Sequence, residues 1–437
     1  DQVQWADGSY QAQVTLEGAS PMQLEATLKG DLQVPNPMVK PGSSDSKGNK
    51  TAAPDTIAVT AVVEAKGTLA TEAARIDVKA NASAAPHSSG SAPTAEPMHA
   101  DVQASVMPWK SQPLLTADAR LKSVDVAAFW PQGPRTLLSG ELQAGPVAAA
   151  ADAAPADNEQ WQLHAQFNNT LRGAWDKQRL PLDSIDADVL YTGTQWQVKQ
   201  AAIQVGKGKI EASGYFEPAT QIFEGSAKVL QLNPADLYST LDAVPLQGSL
   251  SARADQAQKV AFEADLKAAG PAPRAGSKTL RIQTLAAKGE WAQPVLTLSQ
   301  LKVQALQADI NASAVQYNVE QQDGRAQLKA DVPGAALQVD GQMSPQSGKG
   351  TAALQLTSAP ALIAWANTLP GVKDPLAGAT LEGKADLQVT WNGGWGKLLK
   401  RLQAATGDPL PDSDLQLTAN LRGEQLRYLA KDTPPAQ

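Results

Sequence analysis

Apolar and polar side chains alternate along most of this chain with a period of two. Tyr10, Ala12, Val14 and Leu16 take turns with Gln11, Gln13 and Thr15, and Leu24, Ala26 and Leu28 resume the pattern after a break at 18–21. Such alternation over four to eight residues predicts a strand with one sheltered face, and Gly and Pro punctuate it. Residues 57–63, the set Ile76, Val78 and Ala80, and the set Val102, Ala104 and Val106 predict more strands. From Ile185 the rhythm is densest. Ile185, Ala187, Val189 and Tyr191 form one strand and 192–195 turns. Trp196 and Val198 lead to Ile203 and Val205, and Ile210 and Ala212 follow a turn at 206–208. A similar passage starts at 288–291, read as a turn, and runs through Leu296, Leu298, Leu301, Val303, Ala308 and Ile310. Asp323-Gly324 is a hairpin signal. In all, the pattern predicts roughly 25 short strands.

One passage breaks the rhythm and recurs. Leu230 and Leu232 close a strand, Asn233 suits a helix N-cap and Pro234 a first helical position. Leu237, Tyr238 and Leu241 form one apolar stripe of a short helix, Pro245 stops it, and 247–252 alternates again. Residues 121–144 and 354–385 repeat the arrangement. Gly140, Gly248 and Gly383 mark corresponding points, 108 and 135 residues apart. Uneven spacing predicts modules with different numbers of strands between helical marks. The expected divisions are 1–146, 147–252, 253–390 and 391–437. Pro-, Ser- and Ala-rich stretches at 35–55, 82–97 and 147–158 read as solvated loops. Residues 397–403 read as a short basic amphipathic helix capping an open sheet end.

Composition sharpens this picture. Hydrophobic residues make up 42% of the 437 positions but aromatic ones only 5%, because alanine supplies much of the apolar share. Large core-forming side chains are therefore thinly spread. The net charge of −7 and the absence of a basic run give nucleic-acid binding no support. No cysteine is present, which excludes disulfides and thiolate metal sites. No stretch is apolar for long enough to span a bilayer as a helix. The chain opens in mid-pattern, as expected of a segment of a longer protein.

Candidate chemistry is sparse. His87, His99 and His164 have no metal-ligand spacing, so no metal or other cofactor is expected. Residues 206–209 and 347–351 resemble phosphate loops faintly, but neither opens a helix, and hairpin turns explain both. No nucleophile motif or catalytic carboxylate pair stands out, so an enzyme is not expected. Lys199, Lys207, Lys209 and Glu211 sit opposite the apolar positions, as on a solvated face.

The physical signal is one apolar face on many strands with few helices to cover it. A curled sheet would leave an apolar trough, and acyl chains suit such a trough at about 0.8 kcal/mol per methylene removed from water. A 16-carbon chain then gains on the order of 12 kcal/mol. The candidate lining residues are Ile185, Val189, Trp196, Val198, Ile203, Val205, Ile210, Leu296, Leu298, Val303 and Ile310. At about 4.8 Å per strand, roughly 25 strands would extend on the order of 120 Å.

The phrases Tyr191-Thr-Gly-Thr-Gln-Trp-Gln-Val198, Gly206-Lys-Gly-Lys-Ile-Glu-Ala-Ser-Gly-Tyr215 and Leu232-Asn-Pro-Ala-Asp-Leu-Tyr238 resemble those of the AsmA-like intermembrane bridge proteins, the TamB group above all. The resemblance covers about 119–387 and rests on repeat rhythm. It implies an all-β, antiparallel-rich trough (a β-taco) in the periplasm of a Gram-negative bacterium, carrying phospholipid between the two membranes. It also implies an inner-membrane anchor and a TamA-like outer-membrane barrel partner, both reached through regions outside this segment. The Ala/Pro/Ser-rich insertions depart from the family pattern and bear on loop geometry. The rival expectations are a scaffold that assembles outer-membrane β-proteins by strand addition, and a β-solenoid adhesin, which the uneven repeat spacing disfavours.

Overall fold

The structure is a computed structural model that describes residues 8–36, 56–85, 97–110, 113–130, 133–147, 160–241, 243–256, 259–270, 282–367, 369, 380–396 and 415–429. These form 22 strands, three short α-helices and one 3-10 turn, and divide into two compact units. Residues 1–217 and 236–239 make the first unit, and 218–235 and 240–437 the second.

The first unit contains β1 (Gly8–Leu16), β2 (Gln23–Pro35), β3 (Thr56–Thr68), β4 (Ile76–Ala84), β5 (Met98–Val106), β6 (Leu114–Val124), β7 (Leu138–Pro146), β8 (Trp161–Asn169), β9 (Ser184–Tyr191), β10 (Trp196–Val205) and β11 (Gly208–Glu217). The second contains β12 (Ile222–Leu232), β13 (Leu246–Gln256), β14 (Lys259–Ala268), β15 (Ile282–Ala292), β16 (Val295–Ala305), β17 (Ala308–Asn318), β18 (Asp323–Val332), β19 (Ala335–Met343), β20 (Gly348–Leu356), β21 (Thr380–Asn392) and β22 (Gln416–Leu429). Within each unit every strand pairs antiparallel with its sequence neighbours, from β1·β2 to β10·β11. The same meander runs from β12·β13 to β21·β22. β1 and β22 each have a single partner strand among the described residues.

The alternation read from sequence is the alternation of exposure. In β21 the residues Leu381, Ala385, Leu387, Val389 and Trp391 are half-buried, while Glu382, Lys384, Asp386 and Gln388 are exposed. A flat sheet with nothing on either side would expose both sets alike. Shelter of the apolar set alone means that each sheet curls toward its apolar face. Few side chains are fully buried, and many of those are alanine.

Bulges keep the two faces separate. Val198 and Ile203 are five positions apart, an odd spacing that would send them to opposite faces of a regular strand. Lys199 is the extra residue: Val198 pairs with Val189 and Gln200 with Asp188. The bulge resets the phase and Ile203 returns to the apolar side. In β16, Ser299 is the extra residue against β15, where Leu298 faces Gly289 and Gln300 faces Lys288. What reads as successive short runs is thus one bulged strand in each case, and the described total is 22 rather than roughly 25.

The helices all follow even-numbered strands: α1 (Val126–Phe129) follows β6, α2 (Pro234–Leu237) follows β12, and α3 (Ala359–Ala366) follows β20. The 3-10 turn Trp175–Lys177 follows β8. In an antiparallel meander, even-numbered strands all end at the same margin of their sheet. Each sheet therefore has a helical margin and an open margin joined by turns. Each helix starts on a cap. Asp125 Oδ1 accepts from the Ala127 N–H at 3.2 Å and the Thr136 N–H at 3.0 Å. Asn233 accepts from Ala235 at 3.1 Å and Ser358 from Ala361 at 3.3 Å. At α3, Ala359 and Leu362 pack on Val332, Ala335, Leu354 and Leu356. The Trp365 indole N–H ties the helix to the Leu306 carbonyl at 2.6 Å.

The three marker glycines have one shared cause. A Cβ on Gly140, Gly248 or Gly383 would run into the backbone carbonyl of Gln166, Asp265 or Gln425 on the neighbouring strand. Other expectations are corrected. α2 is a single turn ending at Leu237, so Tyr238 and Leu241 lie beyond it, and Tyr238 is exposed. Lys288-Gly289-Glu290-Trp291 belongs to β15, and the chain reverses at Gln293-Pro294 instead. β4 continues to Ala84, into the expected loop. The rest of the three loops, apart from their first or last residues, and the helix expected at 397–403 lie outside the described residues.

Candidate functional site

Cross-strand partners share a face, so register shows what each face carries from strand to strand. In the first unit one row runs Ala12, Leu28, Val63, Ala80, Val102, Ala119, Leu142, Ala165, Ala187, Ala201 and Ala212 across all eleven strands. In the second the matching row is Val229, Gly248, Leu266, Leu285, Val303, Ile310, Ala330, Leu337, Leu354, Leu387 and Leu421. Neither row contains a polar side chain. At about 4.8 Å per step, each runs for about 50 Å. Seven of the eleven residues in the first row are alanine but only one in the second, so the floor of the first unit is the lower.

The expected lining residues all fall on these faces. Ile185, Ile203 and Ile210 stand side by side on β9, β10 and β11, as do Val189 and Val198. Val205 ends that face at the helical margin and is buried. Trp196 sits at the open margin beside Tyr191, ring centroids 4.6 Å apart, and Phe216 is its other neighbour. In the second unit Val303 pairs with Ile310, Leu296 with Trp291 and Tyr317, and Leu298 with Gly289 and Val315. The sequence reading gave no role to Trp161, which pairs with Tyr191 and extends the aromatic row. Its indole N–H is buried without a hydrogen-bond acceptor among the described residues.

The opposite faces are polar. A representative row of the first unit is Gln13, Thr27, Glu64, Lys79, Gln103, Asp118, Gln143, His164 and Asp188. His164 Nδ1 meets Asp188 at 2.9 Å, and Lys288 meets Glu263 at 3.1 Å. Exposed pairs of this kind contribute about 0–1 kcal/mol each. Hydrogen bonds from Ser105 and then Arg75 hold the Asp77 carboxyl below its ordinary value. Gln304 and then Asn311 do the same for Asp309. A depression of about 620 Å³ beside Glu263, Lys288 and Glu290 opens on this polar side. Its Glu263 and Glu290 are already paired with Lys288 and Lys259. No group of metal-ligating side chains occurs among the described residues. Of the phosphate-loop lookalikes, 206–209 opens on the hairpin turn 206–207 between β10 and β11, whereas 347–351 lies almost wholly in β20, after the turn at 344–347.

What the site can do follows from these parts. One face offers a long uncharged floor, and the other offers a solvated surface. No family model, no curated protein and no solved structure matches the chain.

Proposed function

We propose that the apolar faces carry the acyl chains of phospholipid, and that the protein is a lipid conduit with no catalytic step of its own. The observation that carries this reading is the pair of eleven-strand rows without a polar side chain. A translocating acyl chain meets a barrier of several kcal/mol wherever a charge must be desolvated beside it, and neither row presents one. In the first unit the low alanine floor supports the same reading, since small side chains leave room for a flexible apolar chain. The choice of phospholipid, the periplasmic setting and an outer-membrane barrel partner rest on the resemblance to the AsmA-like bridge proteins.

The test is native mass spectrometry with lipid extraction on the chain purified from a Gram-negative host. Co-purified phospholipid, lost in Ile203→Asp and Leu298→Asp variants that keep their circular dichroism, is the expected result. A lipid-free wild-type chain that small-angle scattering shows to be closed on itself would refute the reading. A second reading, a scaffold for β-proteins, has one observation in its favour: β1 is exposed along its whole length and could accept an added strand. It predicts that client strands cross-link to β1 and that the two Asp variants remain active.

A further inference from the structure

The two margins of each sheet differ in a way that bears on which way a bound amphiphile faces. This inference rests on the lipid reading above. A charged or zwitterionic headgroup cannot lie on a floor that offers it no polar partner, because leaving water unpaired costs several kcal/mol. It must therefore project across a margin. At the helical margin the apolar ends of the strands are covered, although Trp130, Trp175 and Tyr238 of the connecting segments there are exposed. Val205 in the first unit and Leu246 and Leu356 in the second are 4%, 5% and 8% exposed, and α3 packs over the last of these.

The open margin is built otherwise. In the first unit its last apolar row on β8 to β11 is aromatic throughout: Trp161, Tyr191, Trp196 and Phe216. In the second unit Trp291 and Tyr317 flank Leu296 at the corresponding end of β15 to β17. Trp196, Phe216 and Tyr317 are 39%, 42% and 40% exposed although they belong to the sheltered face, whereas Trp161 is buried. The Tyr191 hydroxyl donates to the Gly193 carbonyl in the turn at 2.6 Å, so this ring has an apolar body and a polar tip at the water boundary. Tyr and Trp favour places where one end is apolar and the other wet. Leu, Val and Ala fill the rows behind them.

We infer that the aromatic open margin seats the headgroup end of a glycerophospholipid, with its acyl chains on the aliphatic floor and the helical margin closed to headgroups. The aromatic side chains then mark the level of the ester groups, and lipid moves with its headgroup running along one side of the sheet only.

The chain has no cysteine, so single cysteines report without background. Phe216→Cys and Tyr317→Cys place a fluorophore at the open margin at exposed positions. Ala84→Cys and Ala268→Cys place one at the helical margin. Each labelled protein is loaded from phosphatidylglycerol vesicles containing either headgroup-nitroxide lipid or lipid with a nitroxide near the chain end. The expected result is several-fold stronger headgroup quenching at 216 and 317 than at 84 and 268. In the labelled Phe216→Cys chain, replacing Tyr191 and Trp196 by Leu should remove that bias in the first unit. Uptake with equal quenching at both margins, or with the bias reversed, would overturn this inference and leave the conduit reading intact. Absence of any uptake by the unlabelled wild-type chain would overturn both.

Discussion

Two exposed lysines on polar faces, Lys79 in β4 and Lys199 in β10, should respond oppositely to deletion. Lys199 is the extra residue of its bulge, so removing it leaves Val198↔Val189 and Gln200↔Asp188 as consecutive pairs of a regular ladder. Trp196, Val198 and Ile203 all stay on the apolar side. Only the local bend is lost, at about 1 kcal/mol or less, the usual range for a change away from core features. Lys79 lies inside nine unbroken pairs with β3 and nine with β5. Its deletion turns Ile76 and Val78 to the solvent side and brings Asp77 to the apolar side. Losing half of the shelter of an Ile and a Val costs about 2 kcal/mol. Stranding Asp77 away from Arg75 and Ser105 adds about 1–3 kcal/mol. The sum, about 3–5 kcal/mol, corresponds to a rise of between about two and four orders of magnitude in local opening, at about 1.4 kcal/mol per factor of ten. Hydrogen exchange with mass spectrometry reads β3–β5 and β9–β11 separately in the same protein. Equal acceleration in the two deletions, or more in the Lys199 deletion, would refute the claim that bulges hold the phase of the apolar face.

Three further outcomes follow from the fold. Gly248→Ala drives a Cβ into the Asp265 carbonyl and should destabilise β13 by about 1–3 kcal/mol; Gly18→Ala, which meets nothing, should be neutral, both measured by hydrogen exchange. Asp125→Ala removes a helix cap and leaves the buried Thr136 N–H without its acceptor, at about 2–4 kcal/mol, whereas Asp125→Asn should retain most of this in denaturant titrations of the same segment. Hydrogen bonds from the Ser239 hydroxyl and N–H hold the Asp176 carboxyl below its ordinary value. A carboxyl lowered in the folded state contributes stability that is complete above the unfolded value of about 3.9 and is lost as pH falls through the folded value. Exchange of the Ser239 amide should accelerate through that acid range, and Asp176→Asn, which removes the titrating carboxyl, should abolish the effect.

The strands were legible because each needs only a period-two pattern, and the residues of the apolar face were legible because face and period are the same fact. The phase break between Val198 and Ile203 was not, since a bulge is defined by the partner strand and one sequence contains no partner. Gly289 was read as a turn for a related reason. A strand glycine and a turn glycine look alike until the Thr297 carbonyl is seen where a Cβ would stand. The three marker glycines were found by their spacing from a helix, and their cause, contact with the next strand's backbone, appeared only in the fold. Trp161 and Tyr191 are plain in the sequence as aromatics. That they stand beside Trp196 and Phe216 in one row depends on registers fixed by three hairpins.

The strict meander also limits how such a protein can change its length. Every strand depends on its two sequence neighbours, so a duplicated or deleted segment need not disturb any distant pairing. The unit of change must nevertheless be a hairpin. Adding two strands lengthens a sheet by about 9.6 Å and leaves every helix on its original margin. Adding one would send all later helices to the opposite margin. Gene duplication can thus tune the span of this architecture only in whole hairpins, and homologues of different length should differ by an even number of strands.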